Sequence, residues 1–157
     1  MKKFFAILMT LLVAFAICSC GNNDKYSDNK AVVLKNTSDN KNITIKFEHK
    51  GDDITKLSQK EIISFDSLGV NNAMDAQALL DPKIAMIPTI DGYENKIIVK
   101  DDHVEETIDI DFQNIAPDKI NEIPGLNFVG DINEKISLEE TIKELKKSGF
   151  KEVNEKK

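Results

Sequence analysis

A cysteine at position 20 closes an apolar N-terminal stretch. This arrangement determines where the folded domain can begin and whether it can contain disulfide bonds. Lys2 and Lys3 form a basic start, residues 4–17 are apolar with one exception, and small Ser19 precedes Cys20. A basic start, an apolar middle and a small residue at the cleavage point are typical of a secretory signal that is removed. The stretch is short for a retained transmembrane helix.

The residues from Ile17 to Cys20 resemble the lipobox of bacterial lipoproteins, which is an aliphatic residue, a loosely specified residue, a small residue and then the lipidated cysteine. Cys18 is the weaker alternative because bulky Ile17 would stand at the small-residue position. We therefore expect export, cleavage before Cys20 and a lipid anchor on Cys20, with the following domain on the extracytoplasmic side of a bacterial membrane. The sequence leaves open whether this is an inner membrane, an outer membrane or the cell surface.

Processing at Cys20 has a direct consequence for folding. It removes Cys18, and lipidation consumes Cys20, so no thiol remains for a disulfide bond. The remaining 138 of 157 residues are enough for one domain that is held together by core packing alone. We expect a signal peptide at 1–19, the lipidated cysteine and a polar tether at 20–30, and a single globular domain at 31–157.

The charge balance argues against several classes of partner. Without Lys2 and Lys3 the chain has 19 lysines against 27 acidic residues, a net charge of −8. An acidic domain is a poor ligand for nucleic acid and is repelled by anionic lipid. The chain has no Arg and no Trp, so it lacks a guanidinium fork for phosphate and is poorly supplied for stacking on sugars.

The first half of the domain shows the period-two pattern of strands. A short apolar run at Ala31–Leu34 predicts a first strand, and Ile43, Ile45 and Phe47 alternate with polar residues in a second. Residues 54–65 return after a turn at 50–53, with Leu57, Ile63 and Phe65 on one parity. These segments predict a hairpin or a three-stranded meander.

A second hairpin is predicted from residues 96–100 and 104–112 around a turn at 101–103. Residues of one parity in its second strand form one face, namely Val104, Glu106, Ile108, Ile110 and Phe112. The opposite parity forms a polar face of Glu105, Thr107, Asp109 and Asp111.

Two helices are also predicted. Asn72 starts a central helix that we expect Pro82 to break or kink, with a shorter helical piece towards Ile90. A capping box at residues 137–140, an apolar stripe and then Gly149 predict a C-terminal helix with Phe150 packed beyond its end. A helical turn near residues 117–124 and a small strand at 126–129 are also predicted. The predicted fold is therefore α+β, a bent antiparallel sheet built from two hairpins with a central (Pro-kinked) helix and a C-terminal helix packed on it.

This order of elements resembles the YehR-like lipoprotein family. The likeness runs from about Ala31 to Val153 and includes the segment FDSLG at 65–69, the Leu80-Asp-Pro82 break and the helix ending SGFKEV at 148–153. The resemblance implies a small α+β domain on the outer side of a bacterial membrane. It implies no activity, because that family has no established function.

Candidate chemistry is sparse. His49 and His103 could bind zinc with Glu48, Asp101 or Asp102 only if both hairpin turns converge, and turn histidines are more often solvated surface residues. The sequence does not settle whether they converge.

The acidic strand is the other candidate. Glu105, Asp109 and Asp111 could bind calcium or form a hydrolytic carboxylate pair, but a water-facing row that keeps the sheet soluble is favoured. We assign no catalytic, cofactor or metal residues, and the single predicted modification site is Cys20.

We therefore expect a non-catalytic lipoprotein whose domain binds a small ligand, a peptide or an envelope protein of unknown identity. The alternatives are a metal-dependent envelope hydrolase that uses the acidic strand, and a purely structural envelope component. The uncovered sheet face should discriminate, since an apolar concavity favours ligand binding and a flat acidic face favours a solvated scaffold.

Overall fold

The computed structural model describes Tyr26 and residues 31–38, 41–124 and 135–153. Its elements in chain order are β1 (Val32–Ser38), β2 (Lys41–Lys50), β3 (Asp53–Ser64), α1 (Phe65–Leu68), α2 (Ala73–Ile84), β4 (Tyr93–Val99), β5 (His103–Asp111), a 3-10 turn (Ile120–Glu122), α3 (Leu138–Lys147) and β6 (Lys151–Val153). The predicted strand at 126–129 lies outside the described residues. No helix in the described part of the chain has the length and apolar character needed to cross a membrane.

The six strands form one antiparallel sheet in the order β4-β5-β3-β2-β1-β6. Strands β1 to β3 form a meander joined by short turns, and the β4–β5 hairpin pairs with β3. The predicted α+β fold with an antiparallel sheet built on two hairpins is confirmed. The short edge strand β6, which pairs with β1, was not predicted.

One irregularity in the β2–β3 hairpin decides which side chains are buried. Glu48 pairs with Lys56 and the next residue, His49, pairs with Ile54, so Thr55 is an extra residue in β3. Such a bulge breaks the strict alternation of faces. Ile54 and Leu57 are therefore both buried on the same face of the sheet, although their positions differ in parity.

The face of the sheet that the helices cover contains two apolar clusters. The larger includes Leu57 and Ile108 of the sheet and Leu145 of α3. The smaller includes Ile63 of β3 and Leu80 of α2. Along β3 the two clusters are separated by buried polar residues, which are described below.

The ends of α3 confirm the predicted capping signals. Ser137 accepts a hydrogen bond from Glu140 N–H (3.3 Å) at the start. Gly149 has φ 90° at the end, and Phe150 N–H donates to Leu145 C=O (3.0 Å) while its side chain joins the larger cluster. The turn before β3 adds a partner that was not predicted, since the Asp52 carboxylate accepts from Ser137 Oγ (2.9 Å) and from Glu139 N–H (2.8 Å).

The prediction for the second half of α2 was wrong. Helix α2 includes Pro82 and ends two residues later at Ile84. Proline lacks an N–H, but in the last turn this removes only one helical hydrogen bond. Residues 85–86 form a turn and 87–89 are irregular, so no further helical piece forms.

Candidate functional site

The two histidines lie at opposite ends of the sheet. His49 pairs with Ile54 and His103 pairs with Ser64, ten residues further along β3. Ten residues of strand span roughly 33 Å. The convergence that a shared zinc site needs is therefore absent from the fold.

Each histidine has local partners instead. The imidazole of His49 is buried, its Nδ1 donates to Gly51 C=O (2.7 Å), and the ring meets that of Tyr26 edge-on at 6.2 Å. His103 contacts Asp102 through Nδ1, and its Nε2 lies 3.5 Å from Glu105 Oε1. Within the described ranges, no group of three or more His, Cys, Asp or Glu side chains is placed to hold a metal ion.

The acidic row of β5 faces lysines of the neighbouring strand. Lys60 Nζ lies 3.1 Å from Glu105 Oε1 and lowers the pKa of Glu105. Partial burial raises the pKa of Asp111, but the ammonium of Lys56 at 2.9 Å and the hydrogen bonds from Gln113 and Asn114 outweigh it, so the net shift is downward. Two of the three predicted carboxylates are thus already paired with cations.

The open face of the sheet contains a concavity of about 430 Å³. Four adjacent strands border it, and the charged or small outward residues around it are Lys46, Glu48, Lys56, Ser58, Gly92, Glu94, Asp109 and Asp111. The uncovered face is therefore concave and charged, and so differs both from the apolar concavity and from the flat acidic face that were expected as alternatives.

The charges in this concavity are not balanced. Lys56 and Asp111 pair with each other. The remaining charges that line the concavity are one cation, Lys46, and three carboxylates, Glu48, Glu94 and Asp109. None of these four side chains makes an ion pair with another described residue. The concavity consequently presents an excess of carboxylates to the solvent.

Gly92 shapes the rim of the concavity. Its φ is +80°, and a Cβ atom there would lie 2.8 Å from Ile115 Cγ1 and 2.9 Å from Asp111 O. Gly92 C=O also accepts from Asp111 N–H (2.7 Å), which ties the rim to the end of β5. A side chain at this position would displace the backbone that borders the concavity.

We expect Gly92→Ala to lower the free energy of unfolding by about 2 kcal/mol, because it combines positive-φ strain with a steric clash. Gly51→Ala is the matched control, since Gly51 has φ +60° but nothing within 4 Å of the added Cβ. Urea unfolding followed by circular dichroism measures both. An equal loss in the two variants would show that the clash at position 92 contributes nothing.

The helix-covered face carries a cluster of buried polar side chains that was not predicted. Gln59, Glu61 and Glu106 are at most 2% exposed, and Glu61 and Glu106 are directly opposite each other on β3 and β5. Lys41 Nζ lies 2.6 Å from Glu61 Oε1, and Asn95 Nδ2 donates to Glu106 Oε1 (3.0 Å). The signal was present in the sequence, because Glu106 shares its parity with buried apolar residues.

Burial changes the acidity of this polar cluster. Desolvation raises the pKa of Glu61 and of Glu106, and the contacts from Lys41 and Asn95 oppose this only in part. Burial also raises the pKa of Tyr93, whose hydroxyl has no hydrogen bond of good geometry to a described residue. The two carboxyls are therefore held in an environment that favours their protonated forms.

Fold and surface together define a small α+β domain with one helix-covered face and one concave, charged open face. The family described as "Protein of unknown function (DUF1307)" matches residues 30–151. The chain belongs to this family, and the predicted YehR-like resemblance is confirmed.

The chain is similar to several proteins along nearly its whole length. It is 34% identical to "Uncharacterized lipoprotein Lmo0207" of Listeria monocytogenes, over 98% of this chain and 97% of the relative. It is 29% identical to "Uncharacterized lipoprotein YehR" of Escherichia coli K12, over 97% of each chain.

Two solved structures share the fold. The NMR structure of E. coli YehR has a TM-score of 0.63 and 26% identity, and the match covers 82% of this chain and 93% of that chain. An NMR structure from Streptococcus pneumoniae TIGR4 has a TM-score of 0.54 and 18% identity, with 88% and 92% covered, and supports the fold alone.

Proposed function

We propose that this chain is a lipid-anchored, non-catalytic binding protein of the bacterial cell envelope that captures cationic peptide segments in its open-face concavity. Family membership supports a cell-envelope lipoprotein. The proposed organisation is a signal peptide at 1–19, lipid on Cys20 with a tether at 20–30, and one domain at 31–157. The lipobox residues support the anchor on Cys20, with the domain on the extracytoplasmic side.

The unpaired carboxylates of the concavity carry the binding proposal. Glu48, Glu94 and Asp109 border one space of about 430 Å³, with Lys46 as the remaining unpaired cation. Carboxylates that converge on a concave surface attract a cation more strongly than isolated surface charges do. A lysine-bearing peptide segment matches this surface in charge and in size.

The position of the concavity fits an anchored protein. Val32, at the start of β1, pairs with Phe47, and the next residue of β2, Glu48, lines the concavity. The tether therefore enters the domain at the end of the sheet where the concavity lies. Tyr26, which lies within the proposed tether, meets the ring of His49 at this same end, so a lipid anchor on Cys20 would keep the concavity close to the membrane.

The arrangement of titratable side chains supports binding over catalysis. His49 and His103 are at opposite ends of β3. Glu105 and Asp111 are paired with lysines, which keeps both carboxyls ionised at neutral pH. A proton-transfer pair needs a neighbouring acid and base with separated pKa values, and the open face does not provide one in its described residues.

Charge reversal in the concavity tests this proposal. We expect Asp109→Lys to weaken the binding of tetralysine to the lipoprotein in nanodiscs at least tenfold, measured by calorimetry at low salt. Asp91→Lys is the matched control, since Asp91 is exposed, does not line the concavity and undergoes the same charge change. An equal loss in both variants, or no binding to the parent protein, would refute a specific role for the concavity.

A further inference from the structure

The outer edge of β4 carries backbone groups whose direction follows from the β4–β5 pairing. Asp111 N–H donates to Gly92 C=O (2.7 Å) and Lys100 N–H donates to His103 C=O (2.8 Å). In an antiparallel ladder, alternate residues point their N–H and C=O groups to the same neighbour. The backbone N–H and C=O groups of the even-numbered residues of β4 therefore point towards β5. Those of the odd-numbered residues point away from the sheet.

Three odd-numbered residues of β4 have outward backbone groups that could pair with another strand. The N–H and C=O groups of Asn95, Ile97 and Val99 make no backbone hydrogen bond with any described residue. Tyr93 differs, because its N–H already donates to Ile90 C=O (3.0 Å). The edge therefore offers six hydrogen-bonding groups over one stretch of strand.

This edge is long and apolar compared with the opposite edge of the sheet. β4 has seven residues and β6 has three. Short edge strands are one way in which proteins prevent edge-to-edge pairing, and β4 lacks this protection. Its consecutive residues Ile97, Ile98 and Val99 are half-buried and β-branched, which suits them to pair with a further strand.

We propose that the β4 edge pairs with the β4 edge of a second copy of this chain and forms a two-fold symmetric dimer with a continuous sheet. An antiparallel pairing centred on Ile97 places Asn95 opposite Val99 of the second copy. All six outward backbone groups of each copy then take part in hydrogen bonds. Two-fold symmetry makes each such contact occur twice.

Charge selects this register over its neighbours. Centring on Ile97 places Glu94 opposite the second copy's Lys100, twice per dimer, and leaves Glu48 and Asp109 as the unpaired carboxylates of the concavity. Centring on Lys96 would oppose two lysines, and centring on Ile98 would place Lys96 opposite Lys100. Opposite charges directly across a strand pair stabilise it, and like charges destabilise it. A register centred on Asn95 would require Tyr93 N–H to donate to the second copy, but this N–H already donates to Ile90 C=O.

Cysteine cross-linking of the full chain in intact cells tests the proposed register. Residues that face each other as a hydrogen-bonded pair have Cα atoms about 5.5 Å apart, which suits a disulfide. We expect Ile97→Cys to give a disulfide-linked dimer. Ile98→Cys is the matched control, because in this register it lies opposite Lys96 and not opposite itself. The parent chain measures the background from any copies in which Cys18 or Cys20 has not been processed.

Charge swaps supply the second arm of the test. In the Ile97→Cys background, Glu94→Lys or Lys100→Glu alone should lower the dimer yield at least threefold, and both together should restore it. Three results would overturn the proposal: no dimer above the parent background, equal dimer from Ile98→Cys, or no rescue by the double swap. Cross-linking of Ile97→Cys mainly to a different protein would also overturn it, and would indicate that a partner polypeptide occupies the edge.

Discussion

The Asp52→Ala variant is expected to lose about 3 kcal/mol in its free energy of unfolding, because hydrogen bonds to a charged acceptor contribute roughly 1.5–3 kcal/mol each. The Asp52 carboxylate accepts from Ser137 Oγ and from Glu139 N–H at the start of α3. It also places a negative charge at the positive end of the helix dipole. Its removal leaves Ser137, which is 3% exposed, without its acceptor.

Urea unfolding followed by circular dichroism measures this effect, and two further variants separate its causes. Asp52→Asn keeps one oxygen acceptor and loses the charge, so we expect an intermediate loss. Asp91→Ala removes an exposed carboxylate that makes no side-chain bond to a described residue, and should change stability little. If Asp52→Ala were as stable as Asp91→Ala, the contact between the β2–β3 turn and α3 would be unimportant for folding.

Replacement of Glu61 and Glu106 together by Gln is expected to raise the free energy of unfolding at pH 7.5 by about 2 kcal/mol, because ionising a buried carboxyl costs roughly 1.4 kcal/mol for each unit by which its pKa is raised, and Gln does not ionise. Burial raises the pKa of both carboxyls in the folded state above their ordinary value of 4.5. The folded state therefore binds more protons than the unfolded state above that pH. The contribution of these groups to stability is complete below pH 4.5 and is lost as the pH rises through their folded-state pKa values.

The pH dependence distinguishes this effect from a simple packing change. Thermal unfolding between pH 4.5 and 7.5 should show the parent losing stability relative to the double variant, by roughly 1.4 kcal/mol for each unit by which a pKa is raised. Glu105 and Asp111 have lowered pKa values, so their contribution to stability is lost as the pH falls and not as it rises. This loss occurs at a lower pH than the range of this comparison. A constant difference between the two proteins across this range would contradict the assigned cause.

Elements that depend on local signals were predicted well. The alternation of Ile43, Ile45 and Phe47 and the polar and apolar faces of residues 104–111 match β2 and β5. The start of α3 at Ser137 and its end at Gly149 follow from capping chemistry, which acts within a few residues. Such signals identify an element without reference to the rest of the fold.

Features that depend on distant parts of the chain were not predicted. Asp52 caps a helix that begins 86 residues later, so its position in a turn gave no indication of this role. β6 has only three residues, and its pairing with β1 appears only in the folded sheet. The concavity combines outward residues of four strands, and their neighbours follow from a sheet order that the sequence left open.

The extra residue Thr55 has a consequence for how this hairpin tolerates changes in length. Since Thr55 lets Ile54 and Leu57 share the inward face at an odd spacing, its deletion would leave them two residues apart and still on the same face of a regular ladder. A one-residue slip that removed the bulge while keeping Thr55 would instead turn the Ile54 side chain into water and shift the turn whose Asp52 caps α3.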